Sequence, residues 1–389
     1  MDKPLDFLVP DYMPTFRCKM GACRTACCVG WPVTVSMKDY FRLLGEECST
    51  ELRRRIDCAL HLHPRPTQDE YAQILPRWDG DCSLRLPDGR CALQAELGEE
   101  ALAAVCRLYP RGVRRDEQGY ECSCANSCEA VAELLCREEP LRFHQAALKV
   151  IPPADQPRLH TFESAGREKE IRLWLIRLMQ DRRYPLDQRL LRLGSALQTM
   201  EEALHAHDME QVNLLLAGKG EYPIPESPAP DHQALLFGLD AVEKMLALLD
   251  RRSNSIRSYG ETILAHFGQG EEDFLRYEAA AAHFAAVMPL WERWMENLLV
   301  NHMFFVRFPY QDRPVSLKDE FTALCAVYIL LRFLCVGWMA DKDDLSAAMD
   351  AAAALFRLVE HAEFDQYAAP ILQGLGCDDW AHLATLLSL

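Results

Sequence analysis

Four thiols fall within eleven residues in the stretch Cys18-Lys-Met-Gly-Ala-Cys23-Arg-Thr-Ala-Cys27-Cys28. Core packing does not ask for that density, since a buried cysteine behaves as a small hydrophobe. A metal does, because thiolate ligands must converge to about 2.3 Å from one ion. Two further neighbourhoods add sulfur. Trp78-Asp-Gly80-Asp-Cys82-Ser-Leu84-Arg-Leu86-Pro-Asp88-Gly89-Arg-Cys91 carries a turn signal at Asp88-Gly89, and a small hairpin there brings Cys82 and Cys91 together. Cys106 and Cys128 follow. The candidate metal ligands are therefore Cys18, Cys23, Cys27, Cys28, Cys82, Cys91, Cys106 and Cys128. Adjacent residues of an extended backbone point to opposite sides, so Cys27 and Cys28 are not expected to be neighbouring ligands of one ion. They serve two centres, or one ligates while the other has a different role.

Zinc and iron–sulfur clusters both take cysteine thiolates. The chain has no Cys-x-x-Cys step among its sixteen cysteines, and its spacings are irregular and sulfur-only, which favours iron–sulfur over zinc. Cys122, Cys124 and Cys136 receive no assignment, while Cys48, Cys58, Cys325, Cys335 and Cys377 are expected to be structural. Away from the thiols, Trp291, Met295, Leu298, His302 and Phe305 share one helical face, which makes His302 a hydrogen-bonded core histidine. Glu296, Asn297 and Asn301 project elsewhere on that helix, either lining a polar pocket or forming a solvated face. Tyr109 and Arg111 follow Cys106 closely and could pack on the metal site or hold a carboxylate. These five polar residues (Tyr109, Arg111, Glu296, Asn297 and Asn301) are the candidates for cofactor binding.

The elements that must position these groups come from a chain long enough for more than one domain, 389 residues with 49% hydrophobic and 26% charged content. Its net charge of −16 argues against nucleic-acid binding, for which a basic surface is the usual footprint. The start, Met1-Asp-Lys-Pro-Leu-Asp, has no apolar signal segment, so a cytoplasmic protein with reduced thiols is expected. All but Cys325, Cys335 and Cys377 precede residue 137, giving a cysteine-rich front and a cysteine-poor back.

Residues 1 to 35 read as loop with a short strand at Trp31–Val35. Helices follow from Met37, capped by Ser36, and around Leu52, Ile56 and Leu60. After Cys91 one helix is expected through Leu97, Ala101, Leu102 and Val105. Pro152, Pro153 and Pro157 mark a boundary between a metal-binding module, 1–150, and an all-helical domain, 158–389. There, apolar stripes at Ile171, Trp174, Leu175, Leu178 and Met179, and at Leu190, Leu193, Leu197 and Met200, specify paired helices. More helices are expected at 235–249, 274–287, 289–305, 321–340 and 345–362, and a loop at 218–230. The apolar run 321–340 is long enough to span a membrane, but Arg332 near its middle costs about 2.5–3.5 kcal/mol on insertion scales. A buried core helix, and no membrane association, is the expectation. The fold class is mainly α, with a cysteine-rich N-terminal module ahead of the helices.

The sequence also resembles a known family. Cys18 to Trp31 is similar to the signature of the zinc- or iron-chelating cysteine-cluster proteins, and the longer pattern resembles the flagellin lysine-N-methylase (FliB) family. The similar parts are Tyr12-Met-Pro-Thr-Phe16-Arg-Cys18, Cys23-x3-Cys27-Cys28-x-Gly30-Trp31, Cys82-x8-Cys91, Cys106-Arg-Leu-Tyr109-Pro110-Arg111 and Ser127-Cys128. In the back half, Trp294-Met-Glu296-Asn297 to Asn301, leading to Phe308-Pro309, is similar as well. The resemblance implies methyl transfer from S-adenosylmethionine to flagellin lysines, with a [4Fe-4S] cluster on the cysteines. The residues themselves leave open a second reading, a non-catalytic carrier of iron or zinc. They show no glycine-rich strand-to-helix loop of the kind a doubly wound methyltransferase would use.

Overall fold

The computed structural model describes residues 5–24, 26–29, 32–116, 119–148, 164–226, 228–250, 256–268, 270, 272–311, 315–361 and 364–389. Among them, sixteen α-helices outweigh seven short strands, so the chain is mainly α. The front carries β1 (Leu5–Pro10), β2 (Val33–Val35), α1 (Met37–Gly45), α2 (Thr50–Ala59), β3 (Leu60–Leu62), β4 (Ala72–Ile74), α3 (Ala92–Leu97) and α4 (Ala104–Leu108). Then come β5 (Arg111–Asp116), β6 (Gly119–Cys124), α5 (Glu129–Leu134) and β7 (Phe143–Leu148). The back carries α6 (Glu168–Met179), α7 (Leu186–His205), α8 (Met209–Leu216), α9 (His232–Asp250), α10 (Arg257–Phe267) and α11 (Asp273–Val287). It ends with α12 (Trp291–Val306), α13 (Leu317–Met339), α14 (Leu345–Val359), α15 (Phe364–Gly374) and α16 (Trp380–Leu387).

These elements form two compact units. The cysteine unit comprises residues 15–112 and 128–130, and the helical unit comprises 1–14, 113–127 and 131–389. The proposed boundary at 152–157 lies outside the described residues.

In the cysteine unit, β2, β4 and β3 make an antiparallel sheet in that order, with Val33 opposite Ile74 and Leu62 opposite Ala72. Two serines start the helices: Ser36 accepts the Asp39 N–H at 3.1 Å and Ser49 accepts the Leu52 N–H at 3.2 Å. The apolar core holds Val33, Val35, Leu43, Leu52, Ile56, Ile74, Leu84 and Leu93. The single helix expected through Leu97, Ala101, Leu102 and Val105 is broken. Gly98, at φ +86°, ends α3; a 3₁₀ turn covers Glu99–Ala101; and α4 begins at Ala104 with Val105 exposed. An i, i+4 stripe does not record a left-handed residue, and that residue is what stops the helix. Asp39 secures the restart by accepting the Ala104 N–H at 2.8 Å, while Arg42 donates to the Ala101 and Leu102 carbonyls.

In the helical unit every described element after residue 164 is a helix, and the stripes named above fall on α6 and α7 with Leu190, Leu193, Leu197 and Met200 buried. The unit also contains a four-stranded sheet, in the order β5-β6-β1-β7, where a loop was expected at the N-terminus. Strand β1 runs parallel to β6, with Phe7 opposite Tyr120, and antiparallel to β7, with Phe7 opposite Ala146. Residues 7–10 of β1 are all buried, so it shows none of the alternation by which a half-exposed strand declares itself. Helices α8, α10, α15 and α16 were also unforeseen; each is short, and α15 contains Pro370. Helix α13 is the one described helix long and apolar enough to cross a membrane, and 89% of its apolar window is buried inside the protein. Its Arg332 lies 4.2 Å over the Trp291 ring and donates to the Leu389 carbonyl.

Candidate metal centre

All eight candidate cysteines line one cavity of about 240 Å³ inside the cysteine unit. Three pieces of backbone bring them there. The loop bearing Cys18, Cys23, Cys27 and Cys28 lies against the Cys82–Cys91 turn: the Cys82 N–H donates to the Cys28 carbonyl at 2.8 Å, and Val29 bridges Asp81. The turn itself closes as Asp88-Gly89 indicated, with the Leu86 N–H on the Arg90 carbonyl at 2.8 Å and the Gly89 N–H on Leu86 at 2.9 Å. Isolated bridges at Pro76–Cys82 and Arg85–Cys91 hold the small hairpin. Asp81 stiffens it through Arg85 at 2.8 and 2.9 Å and Arg77 at 3.1 Å.

Two glycines fix how closely loop and turn approach. A Cβ on Gly21 (φ +106°) would come within 2.6 Å of the Gly89 carbonyl and the Arg90 nitrogen; a Cβ on Gly89 (φ +88°) would come within 2.5 Å of the Gly21 oxygen. The third piece is Cys128 with its neighbour Glu129, whose buried carboxylate accepts from Lys19 Nζ at 2.6 Å and from the Arg24 N–H at 2.8 Å. Glu129 thereby ties the Cys18–Cys28 loop to the start of α5. Nothing in the spacing of the thiols singled it out; a buried carboxylate is recognisable only from its surroundings.

Cys27 and Cys28 depart from the extended geometry expected of them. They occupy a turn, and their thiols perturb each other's ionisation. A turn places neighbouring side chains together where a strand would separate them. The neighbouring Cys27 thiol pulls Cys28 down to about 7, against burial and with help from the Arg85 guanidinium. Cys28 in turn pushes Cys27 up, and burial adds to the effect. Burial raises Cys82 to about 11 and Cys106 to about 12, and raises Cys91 and Cys23 as well. Among the described residues all sixteen cysteines are thiols without disulfides. No three His, Cys, Asp or Glu side chains among them converge on a single metal position; the thiols ring the cavity instead. Gly30 and Trp31, the last residues of the opening motif, lie outside the described residues.

The same cavity is bordered by Arg17, Lys19, Arg85, Arg107 and Arg111, against Glu99 and Glu129. Tyr109 and Arg111 are there, as their proximity to Cys106 indicated, and the Arg111 guanidinium stacks over the Phe16 ring at 5.3 Å. Cys122, Cys124 and Cys136 belong to the helical unit, and Cys48 and Cys58 do not line the cavity.

The other cofactor candidates sit in the helical unit and are consumed by its packing. Glu296, Asn297 and Asn301 are fully buried on α12, neither on a solvated face nor lining an opening. Glu296 accepts from Arg182 at 2.9 Å and from Arg189 at 2.6 Å. Asn297 donates to the carbonyl of Leu135 and accepts from the Leu141 N–H. Asn301 donates to the Cys124 carbonyl and the Asn126 side chain, and accepts from Tyr12 Oη at 2.8 Å. Helix α12 is buried on every side, so polar residues on it must find partners within the protein. His302 is the core histidine expected, 3.3 Å from Glu360 and packed on Phe356. Glu360 also accepts from the Ser127 N–H, and Ser127 Oγ lies 3.0 Å from His361 Nε2. These groups, 233 or more residues apart in sequence, left no local pattern to read.

Residues 172–386 match the FliB lysine N-methylase C-terminal domain. A lysine-N-methylase of Salmonella typhimurium is 25% identical over 137 residues, 35% of this chain and 34% of that protein. A flagellar biosynthetic protein FliU of Salmonella muenchen is 24% identical over 137 residues, 35% of this chain and 80% of that protein. The match spans about a third of the lysine-N-methylase's own length. No solved structure matches the chain. The matched domain covers more than half of the sequence and lies in the helical unit, and on that ground the chain belongs to the FliB lysine N-methylase family.

Proposed function

We propose that the protein transfers methyl groups from S-adenosylmethionine to lysines of flagellin, and that the cavity thiols hold an iron–sulfur cluster of the [4Fe-4S] type. The observation that carries the cluster assignment is the gathering of eight cysteines, from three separate stretches, around one cavity. The donor set fits in kind, since sulfur ligands predominate and the cavity has no histidine in its lining. The basic rim fits too: Arg17, Lys19, Arg85, Arg107 and Arg111 offset the negative charge of clustered thiolates. The lysine and flagellar parts of the proposal rest on family membership and on what the relatives are named.

The transfer forms a bond between lysine Nζ and the methyl carbon as the bond from that carbon to sulfonium sulfur breaks. The thioether leaves uncharged, and the amine must have lost its ammonium proton beforehand. The protein's share is alignment, exclusion of water and removal of that proton. A cluster with one open iron, when bound, would anchor the amino and carboxylate groups of the cofactor. Arg111, held over Phe16 and beside Tyr109, is the guanidinium best placed in this cavity to meet a carboxylate.

The test is to purify the chain without oxygen, determine iron and sulfide, and incubate it with S-adenosylmethionine and flagellin. Flagellin should gain mass in methyl steps. Cys27→Ala should lose metal and the activity, whereas Cys377→Ala, buried in the helical unit, should keep both. Metal-loaded protein that adds no mass to flagellin would make it a carrier; equal metal in the two variants would remove the cavity from the account.

A further inference from the structure

Eight thiols are twice what one centre uses. A tetrahedral ion takes four, and so does a [4Fe-4S] cube. The surroundings divide the eight into two equal sets. Cys82 lies within the apolar core of the cysteine unit, and Cys28, Cys91 and Cys106 pack against that core, beside Val33, Ile74, Leu84 and Leu93. The remaining four are not part of that core or its packing shell. Cys18 and Cys27 are exposed, and Cys23 and Cys128 are half-buried where Glu129 holds Lys19 and Arg24. Sequence supports the same division: the outer set comes from the opening loop and Cys128, whereas the inner set adds the Cys82–Cys91 turn and α4. The turn at Cys27-Cys28 connects them, with one thiol in each set.

We propose that the cavity holds two thiolate-ligated metal centres side by side. The core-facing one uses Cys28, Cys82, Cys91 and Cys106, and the solvent-facing one uses Cys18, Cys23, Cys27 and Cys128. The inference rests on the reading of the cavity as a metal site and adds its number, division and unequal access. The inner centre takes the place of core atoms and holds the fold of the unit. The outer centre is the one a solute can reach, and therefore the one open to exchange.

The experiment uses the full-length chain, purified without oxygen. Metal is counted per chain, then excess EDTA is added while the thiolate-to-metal absorption is followed. Wild-type protein should release metal in two phases of comparable amplitude. Cys18→Ser and Cys23→Ser, both in the outer loop, should each lose about half of the metal and the fast phase, with the slow phase and the circular dichroism unchanged. Cys91→Ser should lose the slow phase. A single phase in the wild type, or complete metal loss from folded Cys23→Ser, would overturn the two-centre division while leaving the metal site standing. A wild-type chain that binds no metal would remove both readings together.

Discussion

Replacing Gly21 with alanine tests whether the cavity depends on the approach of two loops. The change adds one methyl group, yet that carbon would sit 2.6 Å from the backbone of Gly89 and Arg90, where ordinary contact begins at 3.4 Å. All three atoms it meets are main chain, so no side chain can swing aside. The φ of +106° adds strain of about 1–3 kcal/mol for any residue with a Cβ. The loop bearing Cys18 and Cys23 must move off the Cys82–Cys91 turn by several tenths of an ångström. Metal–sulfur distances tolerate only about 0.2 Å, so a shift of that size opens the site. Gly80→Ala is the control: Gly80 has the same handedness, at φ +86°, with nothing within 4 Å of an added Cβ. Metal per chain after anaerobic purification should fall sharply in Gly21→Ala and stay at the wild-type level in Gly80→Ala. Both variants should lose stability from backbone strain, Gly21→Ala by more because of its main-chain contacts. Equal metal content in the two would refute the argument that this contact sets the geometry of the thiols.

Two further outcomes follow from buried charges. Glu296→Ala leaves Arg189, 1% exposed, without its partner at 2.6 Å, and should destabilise the helical unit by about 3–5 kcal/mol in urea titration. A loss under about 1 kcal/mol would mean that Glu292, already 2.7 Å from Arg189, compensates. Burial disfavours the charge on Asp39, but the Ala104 N–H and Arg42 outweigh it and hold the carboxyl below its usual range. A carboxyl lowered in this way stabilises the folded chain above its unfolded value of about 3.9 and loses that contribution as pH falls through the folded value. Asp39→Asn should therefore melt below wild type at pH 7, with the gap closing below about pH 4; a gap independent of pH would assign the effect to packing instead.

The gathering of the thiols was legible because cysteines are rare and their density exceeds what core packing asks for, and all eight named from sequence line one cavity. The helical character was legible because apolar stripes at i, i+3 and i+4 specify a buried face, as Leu190, Leu193 and Leu197 do on α7. Strand β1 was not, because burial on both faces erases the two-residue period. The break at Gly98 was not, because one glycine within a helical pattern is ambiguous until its φ is known.

The sequence by itself determined the kinds of groups available: a sulfur-rich front, an apolar helical back and a net charge of −16. Tertiary structure decided which groups meet. Glu296, Asn297 and Asn301 read as candidates for a polar site, and the fold buried them among arginines, carbonyls and Tyr12. Glu129 carried no assignment from sequence, and the fold placed its carboxylate on Lys19 and Arg24 beside the thiols. Residue type sets what a side chain can bind. Its partner is set by the three-dimensional path of the chain, which in this protein brings Cys128 back to a loop 100 residues earlier.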